Sequence, residues 1–240
     1  MDFFFRRKKI VVDAFTDIAS VAEVAPIEIA AKFIPTWWKT LKTTRDVDDI
    51  PQPNMKGCTG FFDLYKRGFI VPLWADLELD IFEDGAYRFI SPLSRFYIEQ
   101  HDAKQYNNFF SKVCHIKLLS PWILQEKSGV EFYWGNAFWN QESTINKMNV
   151  CPGVVSLSSL QVRPNLFFPL TKTRYSFLAG YPLAHIIPLS QKSLEVRVHL
   201  ITENEFKERQ HRFNYRSSFV KDSIKRTRAI LDRKSKCPFE

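Results

Sequence analysis

Residues 56–90 constrain the fold of this chain more than any other segment, because the hydrophobic period changes within them. Thr59 is a candidate N-cap for a short helix, and Gly68 lies where a left-handed C-terminal residue is expected. After this glycine, apolar and polar residues alternate with a period of two, which is typical of a half-buried strand. Asp84 and Gly85 then predict a tight turn and a return strand. The segment predicts a helix followed by a β-hairpin.

Short runs rich in β-branched and aromatic residues recur along most of the chain, with turn residues between them. They predict strands at 8–15, 154–160, 165–168, 174–178, 183–188 and 194–201, and a second hairpin formed by 114–124 and 130–138. A helix is predicted between Pro26 and Pro35, and a polar loop over 43–57. We therefore expect a mostly β, α+β fold: an antiparallel β-sandwich or a partly closed jelly-roll-like barrel with short N-terminal helices.

Basic residues are concentrated at the two ends of the chain, which has 240 residues and a formal net charge of +8. Residues 207–236 contain eleven Lys or Arg against three acidic residues. The pattern predicts a basic amphipathic helix near the C-terminus, with candidate partner-binding residues Lys221, Lys225, Arg226 and Arg228. We expect a single β-rich domain over 1–202 and a basic helical appendage over 203–240.

Two interpretations of this basic helix remain open. It could pack on the sheet with its charges solvated, or dock on nucleic acid, an anionic surface or a larger assembly. No apolar run approaches the roughly 20 residues needed to cross a bilayer, and the N-terminal residues lack the order of a signal peptide. The four cysteines lie far apart without Cys-x-x-Cys pairing, which is typical of reduced thiols. These features predict a cytoplasmic protein.

Few patterns in the sequence suggest catalysis. Nucleotide phosphate loops, Gly-x-Ser-x-Gly and His-Glu-x-x-His are absent, so no cofactor is predicted. Asp76, Glu78 and Asp80 would place three carboxylates on one strand face, where they could hold a hard cation. Such alternation is more often the solvated side of an antiparallel sheet. Asp76 is the candidate catalytic carboxylate.

Histidines and tryptophans supply two further hypotheses. His115, His185 and His199 lie on separate predicted strands and could together hold a divalent metal, although an isolated strand histidine is usually just hydrogen-bonded. Trp37 and Trp38 could form a ligand platform, but adjacent rings of this size more often anchor an element to the core.

Four segments carry a resemblance that spans roughly positions 30 to 190. The first runs from Cys58 through Phe61, Asp63, Gly68, Phe69, Pro72, Leu73 and Ala75 to Asp76. The others are FIPTWWK at 33–39, SPWI at 120–123 with Gly129 after it, and GYPLAHIIP at 180–188. Together they resemble an uncharacterised family found in bacteria and in tailed bacteriophages, including marine phages. That family has no assigned activity, so the resemblance implies kinship and supplies no catalytic residues.

The absence of catalytic motifs and the basic ends favour a non-catalytic binding or assembly protein. The resemblance implies that it is phage-encoded, as an accessory or virion-associated component in the host cytoplasm or the virion. A protein partner is expected first, an anionic surface or nucleic acid second, and a homo-oligomer is a further alternative. The alternative function is a jelly-roll-type metal-dependent enzyme acting on a small molecule.

Overall fold

A computed structural model describes residues 9–102, 104, 111–140, 147–158 and 160–216 of the chain. The helices are α1 (Ala19–Val24), α2 (Thr36–Thr40), α3 (Thr59–Tyr65) and α4 (Glu203–Arg216), and short 3-10 turns occupy Ala30–Phe33, Met55–Gly57 and Phe138–Asn140. The strands are β1 (Ile10–Thr16), β2 (Glu28–Ile29), β3 (Thr44–Val47), β4 (Ile50–Pro53), β5 (Phe69–Pro72), β6 (Leu77–Ile81), β7 (Tyr87–Ile90), β8 (Tyr97–Gln100), β9 (Val113–Leu119), β10 (Ile123–Glu126), β11 (Glu131–Asn136), β12 (Asn149–Val150), β13 (Gly153–Ser156), β14 (Leu160–Gln161), β15 (Asn165–Pro169), β16 (Thr173–Phe177), β17 (Pro182–Pro188) and β18 (Leu194–Leu200).

The described strands form several open sheets. Sheet I has the order β14-β10-β1-β18, sheet II β13-β11-β17-β5-β2, sheet III β12-β15-β9-β8 and sheet IV β16-β6-β7, while β3 and β4 form a separate hairpin. Within the described residues none of these sheets closes on itself. The prediction of a mostly β, α+β fold is confirmed.

One strand pair departs from the antiparallel prediction. β1 runs parallel to β18, with Ile10 opposite Leu194 and Thr16 opposite Leu200. Parallel neighbours need a long connection between them, and here nearly the whole fold lies between the two strands. The local pattern of either strand contains no signal for this pairing, because both are ordinary β-branched runs.

The four larger sheets share one hydrophobic core. Ile10 of β1, Phe132 of β11, Ile116 of β9 and Leu79 of β6 all belong to the same cluster of buried residues, and each has 0% of its surface exposed. Burial of this apolar surface is the main favourable term that holds the sheets against one another.

The strand predicted after Gly68 is in fact two strands in two sheets. A bend over residues 73–76 separates β5 in sheet II from β6 in sheet IV. Leu73 exchanges backbone hydrogen bonds with the 180–181 turn: its N–H donates to Tyr181 O at 2.8 Å, and its carbonyl accepts from Gly180 N at 2.7 Å. The predicted hairpin is confirmed as β6 and β7. Its loop has a positive φ at Gly85 alone.

The second predicted hairpin is wrong, because its residues separate into β9, β10 and β11 in three different sheets. Two side chains redirect the chain. The Ser120 hydroxyl accepts from the N–H of Trp122 at 3.1 Å. The buried Glu126 carboxylate accepts from the N–H groups of Ser128 at 2.6 Å and Gly129 at 2.9 Å, which turns the chain from sheet I into sheet II.

Two N-terminal predictions are also corrected. The segment between Pro26 and Pro35 is not an α-helix but β2 and a 3-10 turn, because Glu28 and Ile29 pair with β5. Residues 43–57 contain the β3 and β4 hairpin, whose two-residue loop places Asp48 and Asp49 at φ values of 51° and 62°. The pairing of Glu28 and Ile29 with β5 made this segment a strand despite its helical pattern. The β3–β4 hairpin was missed because an Asp-Asp turn is a weaker sequence signal for a hairpin than Asn-Gly.

The helix predicted from residue 203 is present as α4. Thr202 and Glu205 cap it reciprocally: the Glu205 carboxylate accepts from Thr202 N at 2.8 Å, and the Thr202 hydroxyl accepts from Glu205 N at 3.3 Å. Phe206 packs with Phe15 and Ile123 of sheet I. The domain division at residue 202 stays a prediction.

Gly68 confirms the predicted left-handed position, with φ of +76°. A Cβ added there would lie 2.0 Å from the carbonyl oxygen of Ile186 in β17. The glycine therefore allows two backbones to approach more closely than any side chain permits. This contact lies where β5 begins and pairs with β17.

We predict that Gly68→Ala lowers the free energy of unfolding by at least about 3 kcal/mol, because positive φ and a backbone clash act together. Gly129→Ala, at φ of +77° with no atom within 4 Å of the added Cβ, should cost about 1 kcal/mol. Gly57→Ala, with an open Cβ position and no positive φ, should change the value by less than about 0.5 kcal/mol. Urea unfolding of the three variants checks this order, and equal losses for Gly68 and Gly129 would contradict it.

Candidate functional site

Each of the three predicted carboxylates is bonded to another part of the chain. The exposed Asp76 accepts from the backbone N–H of Ala179 at 2.8 Å, and Glu78 accepts from the Ser176 hydroxyl. Asp76 lies in the bend and Glu78 in β6, so the predicted row is not continuous. Asp76, the candidate catalytic residue, therefore has a structural task in joining the bend at 73–76 to the end of β16.

Asp80 is neutralised by two arginines. Its Oδ1 accepts from Arg174 Nε at 2.7 Å, and its Oδ2 accepts from Arg88 Nη2 at 2.7 Å and Arg174 Nη2 at 3.1 Å. These hydrogen bonds, led by the one from Arg174, lower the pKa of Asp80 to about 2. The carboxylate pins β6 to both of its neighbours, β16 and β7. The Asp80 carboxylate is therefore already paired with two cationic side chains, Arg88 and Arg174.

The structure does not bring the three predicted metal-binding histidines together. His115 lies in sheet III, His185 in sheet II and His199 in sheet I. His115 Nε2 contacts Asn165 Oδ1 at 3.1 Å, and His199 Nε2 contacts Asp13 Oδ1 at 2.8 Å. Within the described part of the chain, no group of three His, Cys, Asp or Glu side chains is placed to hold a metal ion.

His185 is buried and holds a backbone turn. Its Nε2 donates to the carbonyl oxygen of Arg67 at 2.8 Å, and its ring lies 5.8 Å from that of Tyr65. Burial lowers the pKa of His185 below its usual value and raises that of the Tyr65 hydroxyl. Burial likewise lowers the pKa of His115. Burial therefore favours the neutral form of both histidines.

The cysteine beside His115 is also unsuited to nucleophilic chemistry. Cys114 is buried and its thiol contacts the carbonyl oxygen of Gly85 at 3.5 Å. Burial raises the pKa of this thiol to about 11, so the reactive thiolate is disfavoured.

The predicted partner-binding residues Lys221, Lys225, Arg226 and Arg228 lie outside the described residues, and their role stays a prediction.

One cavity is a groove beside α2, which we call the aromatic groove. It has a volume of about 500 Å³ and is lined by Phe33, Ile34, Pro35, Thr36, Trp37, Trp139, Asn140 and Pro182. Three segments distant in sequence thus form its walls. Phe138, next to Trp139 and in edge contact with it, is 46% exposed and extends the apolar surface beyond the groove.

A buried aromatic cluster packs against two of the residues that line the groove. Trp38 is 4% exposed and stacks on Phe61 of α3 with ring centroids 3.7 Å apart, while Phe61 stacks on Tyr65 at 4.9 Å. Trp37 and Trp139 each contact Phe61 edge-on. Of the two tryptophans considered in the sequence, Trp38 is therefore an anchor, whereas the half-buried Trp37 forms a wall.

The polar side-chain atoms of Trp37 and Asn140 are bonded within the fold. Trp37 Nε1 donates to the carbonyl oxygen of Trp139 at 3.2 Å. Asn140 Oδ1 accepts from the Tyr65 hydroxyl, and its Nδ2 donates to Phe33 O at 2.6 Å. The groove presents both apolar and polar surface, and the apolar part is somewhat larger. Sequence reasoning missed Asn140, since a single asparagine after a Trp has no local signal for this bridge.

Lysines lie on the same helix as the groove wall and beside it. Lys39 belongs to α2, Lys42 follows it, and both are exposed. Lys56 donates to the carbonyl oxygens of Trp38 at 2.6 Å and Lys39 at 3.2 Å, which caps the end of α2. Among the described residues, none of these three lysines forms an ion pair. Exposed lysines therefore lie in and just after the helix that forms one wall of the groove.

Comparison with known proteins adds no relative. The chain matches no model of a protein family, and neither the curated proteins nor the solved structures include a match. None of the described helices has the length and apolar character required to span a membrane. Kinship with the phage and bacterial family stays a prediction.

We predict that Arg174→Gln raises the pKa of Asp80 from about 2 toward its ordinary value of 3.8, because the strongest hydrogen bonds to the carboxylate are lost. A lowered pKa means that the ion pairs stabilise the fold fully above pH ~4 and lose this effect as the pH falls through about 2. Carbon-detected NMR titration measures the pKa. Arg197→Gln, which removes a partner of Glu195 instead, is the matched control. An unchanged pKa in the Arg174 variant would contradict the assignment.

Proposed function

We propose that this protein acts by binding, as a non-catalytic assembly or accessory component, and that the aromatic groove receives an apolar side chain of a protein partner. The observation that carries the proposal is a groove of about 500 Å³ with aromatic walls, in which the polar side-chain atoms of Trp37 and Asn140 are bonded internally. Exposed apolar surface of this kind, rimmed by charge, is typical of interaction sites.

Charge complementarity defines the partner further. Lys39 lies in the helix that forms one wall of the groove, Lys42 follows that helix, and both are exposed. A segment that pairs with them would carry Asp or Glu near its apolar anchor. Aromatic pockets that bury one anchor residue dominate the energy of many interfaces. We therefore infer an apolar anchor flanked by acidic residues.

A protein partner fits the groove better than single-stranded nucleic acid. Bases stack on ring faces that are open to solvent. Here Trp37 contacts Trp38, Phe61 and Trp139, with centroids between 5.7 and 6.0 Å apart. Because these rings pack against one another, they form the walls of a pocket rather than a row of platforms.

The catalytic alternative has less support. Asp76, Glu78 and Asp80 are bonded to groups of the chain itself, and His115, His185 and His199 lie in three sheets. A jelly-roll-type metal-dependent enzyme would require these side chains to converge.

The jelly-roll arrangement itself remains a proposal, supported by the core that sheets I to IV share. Kinship with a phage-encoded family, and with it a virion-associated role, is likewise proposed from the sequence.

We predict that selection of random peptides on the purified full chain enriches apolar or aromatic anchors flanked by Asp or Glu. Trp139→Ala should weaken binding of the selected peptides by about tenfold or more, because the anchor loses one wall of its pocket. Fluorescence anisotropy with labelled peptides measures the affinity.

Ile90→Ser is the matched control, since Ile90 is 66% exposed at the end of β7, outside the groove lining. Its affinity should equal that of the unchanged chain. The proposal fails if no peptides are enriched, if both variants bind equally well, or if an oligothymidine competes at the groove more strongly than the peptides do.

A further inference from the structure

A second recess lies where α3 ends, and its chemistry differs from that of the aromatic groove. It has a volume of about 250 Å³ and is lined by the 66–68 turn on one side and, on the other, by Pro188 and residues 190–194 where β17 connects to β18. Lys66, Arg67 and Lys192 contribute three cations, and Ser190 and Ser193 contribute two hydroxyl groups. We call these residues together with Gly68 the basic recess. No carboxylate is among the residues that line it.

The backbone at Arg67 is fixed from three directions. Its N–H donates to Leu64 O at 3.1 Å, and its carbonyl accepts from the buried His185 at 2.8 Å. Gly68, which follows, is held against the backbone of Ile186 so closely that no side chain fits between them. His185 and Ile186 belong to β17, and β17 leads into the loop that forms the other wall of the recess. The backbone at Arg67 is therefore held at a defined position relative to that loop.

The guanidinium of Arg67 is oriented as well. Its Nη2 donates to Gln191 Oε1 at 3.0 Å across the recess. The Ser190 hydroxyl accepts from Lys192 N at 3.2 Å, which shapes the loop that carries Lys192. In the described part of the chain neither Arg67 nor Lys192 pairs with an acidic residue. Only Lys66 does, at 3.6 Å from Asp63 Oδ1.

We propose that the basic recess binds the phosphate group of a small phosphomonoester through Arg67, Lys192 and Lys66, with the hydroxyl groups of Ser190 and Ser193 as additional donors. Arginine presents several N–H donors in a planar fork that suits phosphate oxygens, and lysine adds charge. The volume lies below the roughly 300–1,000 Å³ of pockets for drug-sized ligands, so it suits a phosphate with a small attachment. This site is separate from the aromatic groove and does not depend on the proposed function.

Glycerol phosphate and sulfate, added separately to the full chain, test the proposal by two-dimensional NMR. Glycerol phosphate should shift the amide signals of 66–68 and 190–193 saturably, at about millimolar concentration. Arg67→Gln and Lys192→Gln should each weaken binding about tenfold, because each removes a charged donor. Lys172→Gln makes the same change of charge on an exposed lysine outside the recess and should leave the affinity unchanged.

The charge of the ligand gives an independent readout. A phosphomonoester loses its second proton near pH 6, whereas sulfate keeps a constant charge. The affinity for glycerol phosphate should rise about fivefold from pH 5 to pH 7, and that for sulfate should not. The titratable and charged groups that face the ligand or hold the turn are Lys66, Arg67, Lys192, Asp63 and His185, and sulfate controls for any change among them.

Three results would overturn the proposal. The first is a set of amide shifts that do not saturate or that appear outside the recess. The second is an equal loss of affinity for glycerol phosphate in Lys172→Gln and Lys192→Gln. The third is binding of an oligothymidine without binding of glycerol phosphate. Circular dichroism and urea unfolding establish that each variant is folded. If Arg67→Gln does not fold, Lys192→Gln decides the outcome together with the shift map, because Lys192 is an exposed loop residue.

Discussion

The close contact between Gly68 and the backbone of Ile186 is the constraint on which both cavities depend. It brings the end of α3 against β17, which is flanked by β5 and β11 in sheet II. On one side of the contact, Tyr65 reaches Asn140 and supports the aromatic groove. On the other side, Arg67 enters the basic recess. His185 lies between them, within ring contact of Tyr65 and bonded to the carbonyl of Arg67.

The distribution of strands among several sheets depends on a few bonds between side chains and the backbone. Asp76 holds the bend that sends the chain from sheet II to sheet IV. Glu126, although buried, is satisfied by three backbone N–H groups of the turn that follows it. A buried carboxylate without such donors would be costly. These acidic residues therefore guide the chain between sheets.

Several candidate groups in the sequence have the same explanation. Asp80 joins three strands through two arginines, and His199 pairs with Asp13 across the parallel contact of β1 and β18. Residue types used in catalysis are also those that form the strongest structural bonds, because both uses need charge or a directional hydrogen bond. The sequence could identify such residues but could not assign their partners. The aromatic groove and the basic recess emerged instead from residues that the sequence suggested weakly or not at all, such as Asn140 and Lys192.

The sequence by itself determined several of the local elements. Period-two alternation identified β6, the left-handed position of Gly68 followed from its place after a helix, and the start of α4 followed from the change of composition near Glu203. Only the tertiary structure decided which strands pair beyond the β6–β7 hairpin, where a single apolar run divides between two sheets, and which side chains meet in a cavity. Periodicity reports the burial of a residue relative to its near neighbours in the chain. Pairs such as Ile10 with Leu194, or Tyr65 with Asn140, depend instead on distant segments that meet only when the core is formed.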